Sequence, residues 1–204
     1  MPPNPARVLG CLGLLLTPAL AWSYSVGAPG YSGVTGASCT TCHAVGAPVP
    51  TVLLEGPTSL AAGETGSYTF TVSGGPGVRA GMTVLANLEG TTLTPGPGLR
   101  VMASGRELTH AGPVEAMDGK VVFTFTLVAP PEGGTLTLHA AGNSVNYNRN
   151  NSGDASATTS LAIEVDGPRE TESGSGGGCA AAGTAALVPW ALLATLRLWK
   201  RRSR

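Results

Sequence analysis

Alternating apolar and polar side chains run through the middle of the chain, and this period of two predicts β-strands. In 66–72, Tyr68, Phe70 and Val72 share one face while threonines occupy the other. The same alternation marks 120–128, 135–141 and 157–165, and weaker alternation marks 51–55, 81–88 and 99–103. Further side chains expected to face the core are Val121, Phe123, Phe125, Leu127, Leu136, Leu138, Ala140, Leu161, Ile163 and Val165.

Turns rich in glycine and proline separate these segments, at 74–77, 95–98, 118–119 and 130–134. The 204 residues include 30 glycines and 16 prolines, which favours many turns and few long helices. About seven short strands at this spacing predict an all-β domain over 51–166. We expect an antiparallel β-sandwich of immunoglobulin-like build.

The two ends of the chain predict an exported, membrane-anchored protein. Residues 1–21 have the pattern of a signal helix, with Arg7, an apolar run and a small-x-small cleavage site at 19–21. A polar, flexible linker at 167–178 leads to the tail, 179–204, whose apolar part is near the lower limit of about 17 residues for one transmembrane helix. Basic residues end the tail, so the C-terminus is expected in the cytoplasm before processing.

A six-residue stretch, Ser38-Cys39-Thr40-Thr41-Cys42-His43, carries the candidate chemistry within a glycine-rich lead-in at 22–50. A C-x-x-C-H run in an exported protein is the attachment signature of c-type haem. The two thiols would each bond one vinyl group, and the adjacent imidazole of His43 would bind the iron. Pro48 and Pro50 exclude a helix that starts at the motif, whereas a typical small cytochrome c continues into one.

The same residues allow two other interpretations. In an oxidising compartment, Cys39 and Cys42 can form a small structural disulfide. They can instead bind zinc or copper together with His110 or His139. If haem is bound, His110 is the favoured distal ligand because it lies beside a turn, and His139 is the alternative. The thioether candidates for that position are Met82, Met102 and Met117.

Charge and composition exclude several function classes. Twelve basic and twelve acidic residues balance, so the chain has no electrostatic signature for binding nucleic acid. No Ser-His-Asp set, paired acids or phosphate-binding glycine loop supports a hydrolase or a transferase, and no catalytic residue is assigned. The asparagine-rich loop 143–154 contains a single carboxylate, Asp154, so we interpret it as a set of turns and not as a strong calcium site.

The tail resembles a known sorting signal. Gly176-Gly177-Gly178-Cys179, the apolar span and the arginine-rich end are similar to the MYXO-CTERM tail of myxobacterial surface proteins. That resemblance implies a sorting protease, cleavage near Cys179 and transfer from the inner membrane to the cell surface or outer membrane. Pro189 within the span and Ala180-Ala181 after the cysteine depart from the usual pattern.

The exported domain resembles the bacterial choice-of-anchor V domain, and more distantly reeler-type extracellular domains. The matching stretches are 35–43, 75–81, 107–110 and 140–146 leading to 152–154. The resemblance implies a β-sandwich at the cell surface and implies no activity. We therefore expect a membrane-anchored module that carries haem c for electron transfer or sensing. The alternative is a non-catalytic binding or adhesion module with a Cys39–Cys42 disulfide. The sequence identifies neither a redox partner for the haem module nor a surface ligand for the binding module.

Overall fold

The computed structural model describes residues 25–43 and 45–167. The predicted signal helix at 1–21 and the predicted transmembrane tail with Cys179 lie outside the described residues. Within the described residues, no helix has the length and apolar character needed to cross a bilayer. The described residues comprise the predicted domain and most of the lead-in before it.

Strands make up the domain, as the alternation predicts, and the described part of the lead-in contains one 3-10 turn, Cys39–Thr41. The strands of the described residues are β1 Thr51–Glu55, β2 Ser59–Ala61, β3 Thr65–Ser73, β4 Arg79–Ala86, β5 Thr92–Pro95, β6 Leu99–Val101, β7 Glu107–His110, β8 Val114–Glu115, β9 Lys120–Val128, β10 Gly134–Val145 and β11 Ala155–Asp166. All seven predicted strands are present. Short strands β2, β5, β7 and β8 were not predicted.

Two sheets form a sandwich. One has the order β1-β3-β9-β5, and the other has the order β2-β11-β10-β4-β7-β6, with β8 also paired to β4. Most neighbours are antiparallel, but β2 runs parallel to β11, which the prediction of an antiparallel sandwich did not include. This parallel pair spans only Ser59–Ala61, the short strand before β3.

The hydrophobic core lies between the sheets, where the predicted inward faces meet. Phe70 on β3 is opposite Phe123 on β9, and both are buried. Leu136, Leu138 and Ala140 of β10 face them from the larger sheet and are fully buried. The alternation of 66–72, 120–128 and 135–141 is therefore confirmed, since each strand turns one side to this core.

The larger sheet is also covered on part of its outer face. Strand β4 is buried at six of its eight positions, and β10 is buried on both faces from Ala140 to Ser144. Polar residues are among those buried there, notably Glu107, Thr109 and Asn143. The covering layer consists of the lead-in and the loop between β10 and β11, and it builds the candidate site.

Candidate functional site

The lead-in is held on the larger sheet by hydrogen bonds to β7. The backbone N–H of Gly27 donates to the carbonyl oxygen of His110 at 3.0 Å. The N–H of Gly30 donates to Oε1 of Glu107 at 2.6 Å, and Thr109 Oγ1 donates to the carbonyl oxygen of Gly27 at 3.3 Å. This explains why Glu107 and Thr109 are buried although they are polar: their partners belong to the lead-in, so burial leaves them bonded.

A cavity of about 330 Å³ lies between the lead-in, strands β4, β7 and β10, and the β10–β11 loop. This volume is at the lower end of the range for ligand pockets, roughly 300–1,000 Å³. Its walls bring together residues that are distant in sequence: Cys39, Cys42, His43, Met82, His110 and Asn143. His139, the alternative distal ligand, lies on β10 and is not among the lining residues.

The C-x-x-C-H motif forms one tight turn that presents its three chemical groups to this cavity. The N–H groups of Cys42 and His43 both donate to the carbonyl oxygen of Cys39, at 3.2 and 2.9 Å. The N–H of Thr41 donates to the carbonyl oxygen of Ser38 at 2.9 Å. No longer helix follows within the described residues, in agreement with the effect expected of Pro48 and Pro50.

Both thiols are free, so the predicted Cys39–Cys42 disulfide is not present in the structure. Burial raises the pKa of the Cys39 thiol to about 12, and the nearby Cys42 contributes in the same direction. Cys42 is exposed at the edge of the cavity. A buried neutral thiol is a poor nucleophile, which argues against a reactive C-x-x-C redox pair here.

His43 is fixed by a carboxylate. Its Nδ1 lies 2.6 Å from Oδ2 of Asp154, whose side chain is 2% exposed. The other carboxylate oxygen, Oδ1, accepts from the N–H of Asn146 at 3.0 Å. An ionised carboxylate only accepts hydrogen bonds, so Nδ1 of His43 carries the proton. In the neutral ring this leaves the lone pair of Nε2 free for a ligand or a metal.

His110 is held by the backbone of β4. Its Nδ1 lies 3.0 Å from the carbonyl oxygen and 3.1 Å from the backbone nitrogen of Met82. These two contacts are hydrogen bonds in different tautomers. If Nδ1 donates to the carbonyl oxygen, Nε2 is unprotonated; if Nδ1 accepts from the N–H of Met82, the proton is on Nε2. Burial lowers the pKa of His110 from its ordinary value, and a hydrogen bond to the Met82 backbone opposes this in part. The charge of Arg100, and that of His43 when it is protonated, add to the lowering. The ring is therefore neutral at neutral pH.

The His110 ring packs closely against two glycines, Gly81 and Gly27. A Cβ atom on Gly81 would lie 2.6 Å from Cε1 of His110, and a Cβ on Gly27 would lie 2.9 Å from Nδ1. Neither glycine has a positive φ, so space and not backbone conformation requires them. The ring thus occupies a slot between β4 and the lead-in, and a side chain at position 27 or 81 would enter that slot.

The β10–β11 loop forms the outer wall of the cavity. Asparagine side chains accept from the N–H two residues ahead, as in Asn146 to Asn148 and Asn148 to Asn150. The predicted series of asparagine-stabilised turns is therefore present. Asn151 Nδ2 also donates to the carbonyl oxygen of Cys42 at 2.6 Å, which joins the loop to the motif.

Asn143 is a polar group of the cavity wall without a partner. It is 4% exposed, and its Oδ1 has no hydrogen bond among the described residues. An unpaired buried acceptor costs about 1–3 kcal/mol unless a bound molecule or water donates to it. Neither this residue nor the Asp154–His43 pair was singled out from the sequence, where Asn143 and Asp154 are only the ends of an asparagine-rich stretch.

The geometry of the described residues does not support a zinc or copper ion bound by Cys39, Cys42 and a histidine. Among residues 25–43 and 45–167, no three His, Cys, Asp or Glu side chains converge closely enough to hold one ion. Of the thioether candidates, Met82 lines the cavity, the Met102 sulfur lies 3.6 Å from Thr109 Oγ1, and Met117 is 79% exposed. Zinc needs four ligands, so this site does not suit it.

The donor set does suit a c-type haem. A haem iron takes only axial protein ligands, so it needs no cluster of three. Cys39 and Cys42 would hold the vinyl groups, His43 and His110 present imidazoles to the same cavity, and Met82 supplies apolar surface. Because the cavity volume is small for a ligand of that size, a haem would be enclosed only in part.

Comparison with known proteins identifies no family for this chain. No family model matches the chain, and no curated protein matches it. Among solved structures, the chain is similar to the PKD domain of an M14-like peptidase from Thermoplasmatales archaeon SCGC AB-540-F20. The identity is 17%, the match covers 58% of this chain and 97% of that one, and the TM-score is 0.33. At that score the likeness carries no conclusion about function.

Proposed function

We propose that this protein is a surface module whose β-sandwich carries a covalently attached haem c at Cys39 and Cys42, with His43 as the proximal ligand. The observation that carries this proposal is the shared cavity. Four residues proposed for the haem, from the lead-in and from β7, line one 330 Å³ space. The haem would supply one-electron redox chemistry, for electron transfer or for haem-based sensing.

His110 is the distal ligand in this proposal, and His139 is not. His110 lines the cavity, is neutral at neutral pH and has its Nδ1 bound to the Met82 backbone. The chain's own residues would therefore hold the ring of each histidine by Nδ1 and leave Nε2 for the iron. The lead-in and the β10–β11 loop would cover part of the haem, while Cys42 stays exposed at the edge of the cavity.

The decisive experiment is the spectrum of the protein exported by a host that attaches haem c. A Soret band that survives denaturation and acid–acetone extraction is expected for the native chain. A double variant, Cys39→Ser with Cys42→Ser, should lose the band from the denatured chain. His110→Ala should keep the covalent band but change the spectrum of the folded protein, while His139→Ala should change neither. A colourless native chain with an unmodified mass contradicts the proposal.

A non-catalytic binding module is the second candidate. The small volume of the cavity and the unpaired Oδ1 of Asn143 favour it, because they suit a small ligand that donates one hydrogen bond. In that case the thiols stay free or form the disulfide considered above. Full mass recovery without haem, together with a ligand-dependent rise in melting temperature that Asn143→Leu abolishes, would establish this candidate.

The class of sandwich and its location belong to the same proposal. The strand orders β1-β3-β9-β5 and β11-β10-β4 support an immunoglobulin-like build, because they match the ABED and GFC sheets of that domain, with β5 as strand D between β4 and β9 in the chain. We place the module outside the cell because residues 1–21 have the pattern of a signal peptide and residues 179–204 that of an anchoring tail. The resemblances to the choice-of-anchor V domain and the MYXO-CTERM tail support processing at Cys179 by a sorting protease and membrane attachment.

A further inference from the structure

Asp154 is a buried carboxylate whose environment suggests a role beyond folding. It is 1% exposed, and both of its oxygens are used: Oδ1 by the N–H of Asn146 and Oδ2 by Nδ1 of His43. A buried carboxylate is costly unless it is paired and fully hydrogen-bonded. Here its short bond of 2.6 Å goes to the histidine of the motif, 111 residues earlier in the chain.

We propose that Asp154 is the positioning residue for His43: it fixes the ring orientation and the Nδ1–H tautomer, and it strengthens Nε2 as a ligand. This inference rests on the proposed function, because the ligand strength is exerted on a haem iron. A carboxylate that accepts from a ligating histidine increases the basicity of the ring and sets its tautomer. The structure holds Asp154 itself in place through Asn146, so the carboxylate is oriented before any ligand binds.

The expected consequence is a low reduction potential. A more basic proximal imidazole beside a negative charge stabilises ferric iron more than ferrous iron. Loss of such an outer partner typically weakens metal binding by about 10–100-fold. If the affinity falls only for the ferric state, the midpoint potential rises by about 59–118 mV, since a tenfold change in affinity equals 59 mV for one electron.

The test compares Asp154→Asn, Asp154→Ala and a control in the holoprotein. Asp154→Asn removes the charge but keeps one oxygen acceptor, so the midpoint potential should rise moderately. Asp154→Ala removes the acceptor too and should raise it further. Asn151→Ala is the control, because it loosens the same loop from the motif at Cys42 without touching His43. Its potential should equal that of the native protein.

A second measurement needs no haem. In the full chain with Cys39→Ser and Cys42→Ser, nitrogen-15 NMR of the imidazoles should show His43 protonated at Nδ1. Adding Asp154→Asn should weaken that preference, and adding Asp154→Ala should abolish it. Circular dichroism of each variant checks that the fold is retained, and the asparagine variant serves if the alanine variant does not fold.

The outcomes separate the two proposals. Covalent haem with graded potentials and an unchanged control supports both. Covalent haem with native potentials in both Asp154 variants, or an equal shift in Asn151→Ala, overturns the positioning role and leaves the haem proposal intact. A native chain without covalent haem overturns the proposed function and the ligand role with it, whereas a His43 tautomer independent of Asp154 overturns the positioning role on its own.

Discussion

Gly81→Ala should displace His110 and destabilise the domain, because the new methyl group has no room. Its Cβ would lie 2.6 Å from Cε1, 2.8 Å from Nδ1 and 2.9 Å from Nε2 of the ring. Ordinary carbon contacts begin near 3.4 Å, so the ring must move by about 1 Å. Gly81 lies in β4 without a positive φ, so the methyl group itself adds no backbone strain.

The cost of this change follows from two effects. Overpacking a filled site costs about 1–3 kcal/mol. Moving the ring also stretches its contacts with the Met82 backbone, now 3.0 and 3.1 Å, and one lost hydrogen bond is worth about 1 kcal/mol. We therefore expect the free energy of unfolding of Gly81→Ala to fall by about 2–4 kcal/mol.

Gly112→Ala is the matched control. Gly112 lies two residues after His110, has no atom within 4 Å of its would-be Cβ and has no positive φ. Its free energy of unfolding should stay within about 0.5 kcal/mol of the native value. Urea titrations followed by far-ultraviolet circular dichroism measure both, since the three tryptophans, Trp22, Trp190 and Trp199, lie outside 25–167. Equal stability of the two alanine variants would refute the described slot for His110.

Three further predictions concern the core, alkaline pH and the tail. Phe123→Ala should lower the free energy of unfolding by about 3–5 kcal/mol, and Thr124→Ala on the exposed face by less than about 1 kcal/mol; equal losses in urea titrations would contradict the facing of β9. Burial, with a smaller effect of a nearby glutamate, raises the pKa of Tyr68 to about 12. The folded state therefore keeps a proton that the unfolded chain releases near pH 10, so stability is lost between pH 10 and 12. Tyr68→Phe should flatten this alkaline decline in melting temperature; an unchanged decline would mean that another group causes it. Intact-mass analysis of the surface form should show loss of 180–204 with Cys179 modified, and a full-length chain with unmodified Cys179 would exclude processing there.

The sequence predicted those parts of the fold in which one strand face meets the core and the other meets water. Strand β9 is such a case: Phe123 and Phe125 are buried while Val122 and Thr124 are exposed. Strand β7 was not predicted, because Glu107 and Thr109 are polar but buried under the lead-in. That covering comes from a distant segment, and no local pattern signals it.

The candidate site was predictable to a similar extent. The motif from Cys39 to His43 is local, so its spacing alone suggests the chemistry, and a turn beside His110 suggested which histidine lies near. The pairing of His43 with Asp154 spans 111 positions and depends on the register of β10 with β11. Periodicity does not contain that information, since it specifies which face a side chain occupies and not what folds over that face.

The position of Cys39 in the folded domain bears on when its thiol can react. In the folded domain its thiol is neutral and half-buried, and it faces a cavity whose walls include residues up to Asp154. If the chain is exported from its N-terminus as we propose, these later residues emerge after the motif, and both thiols are accessible for as long as the rest of the sandwich is missing. Because thiol chemistry proceeds through the accessible thiolate, the covalent addition that we propose at Cys39 would occur in this early interval. Folding then partly covers Cys39, while Cys42 stays exposed at the edge of the cavity.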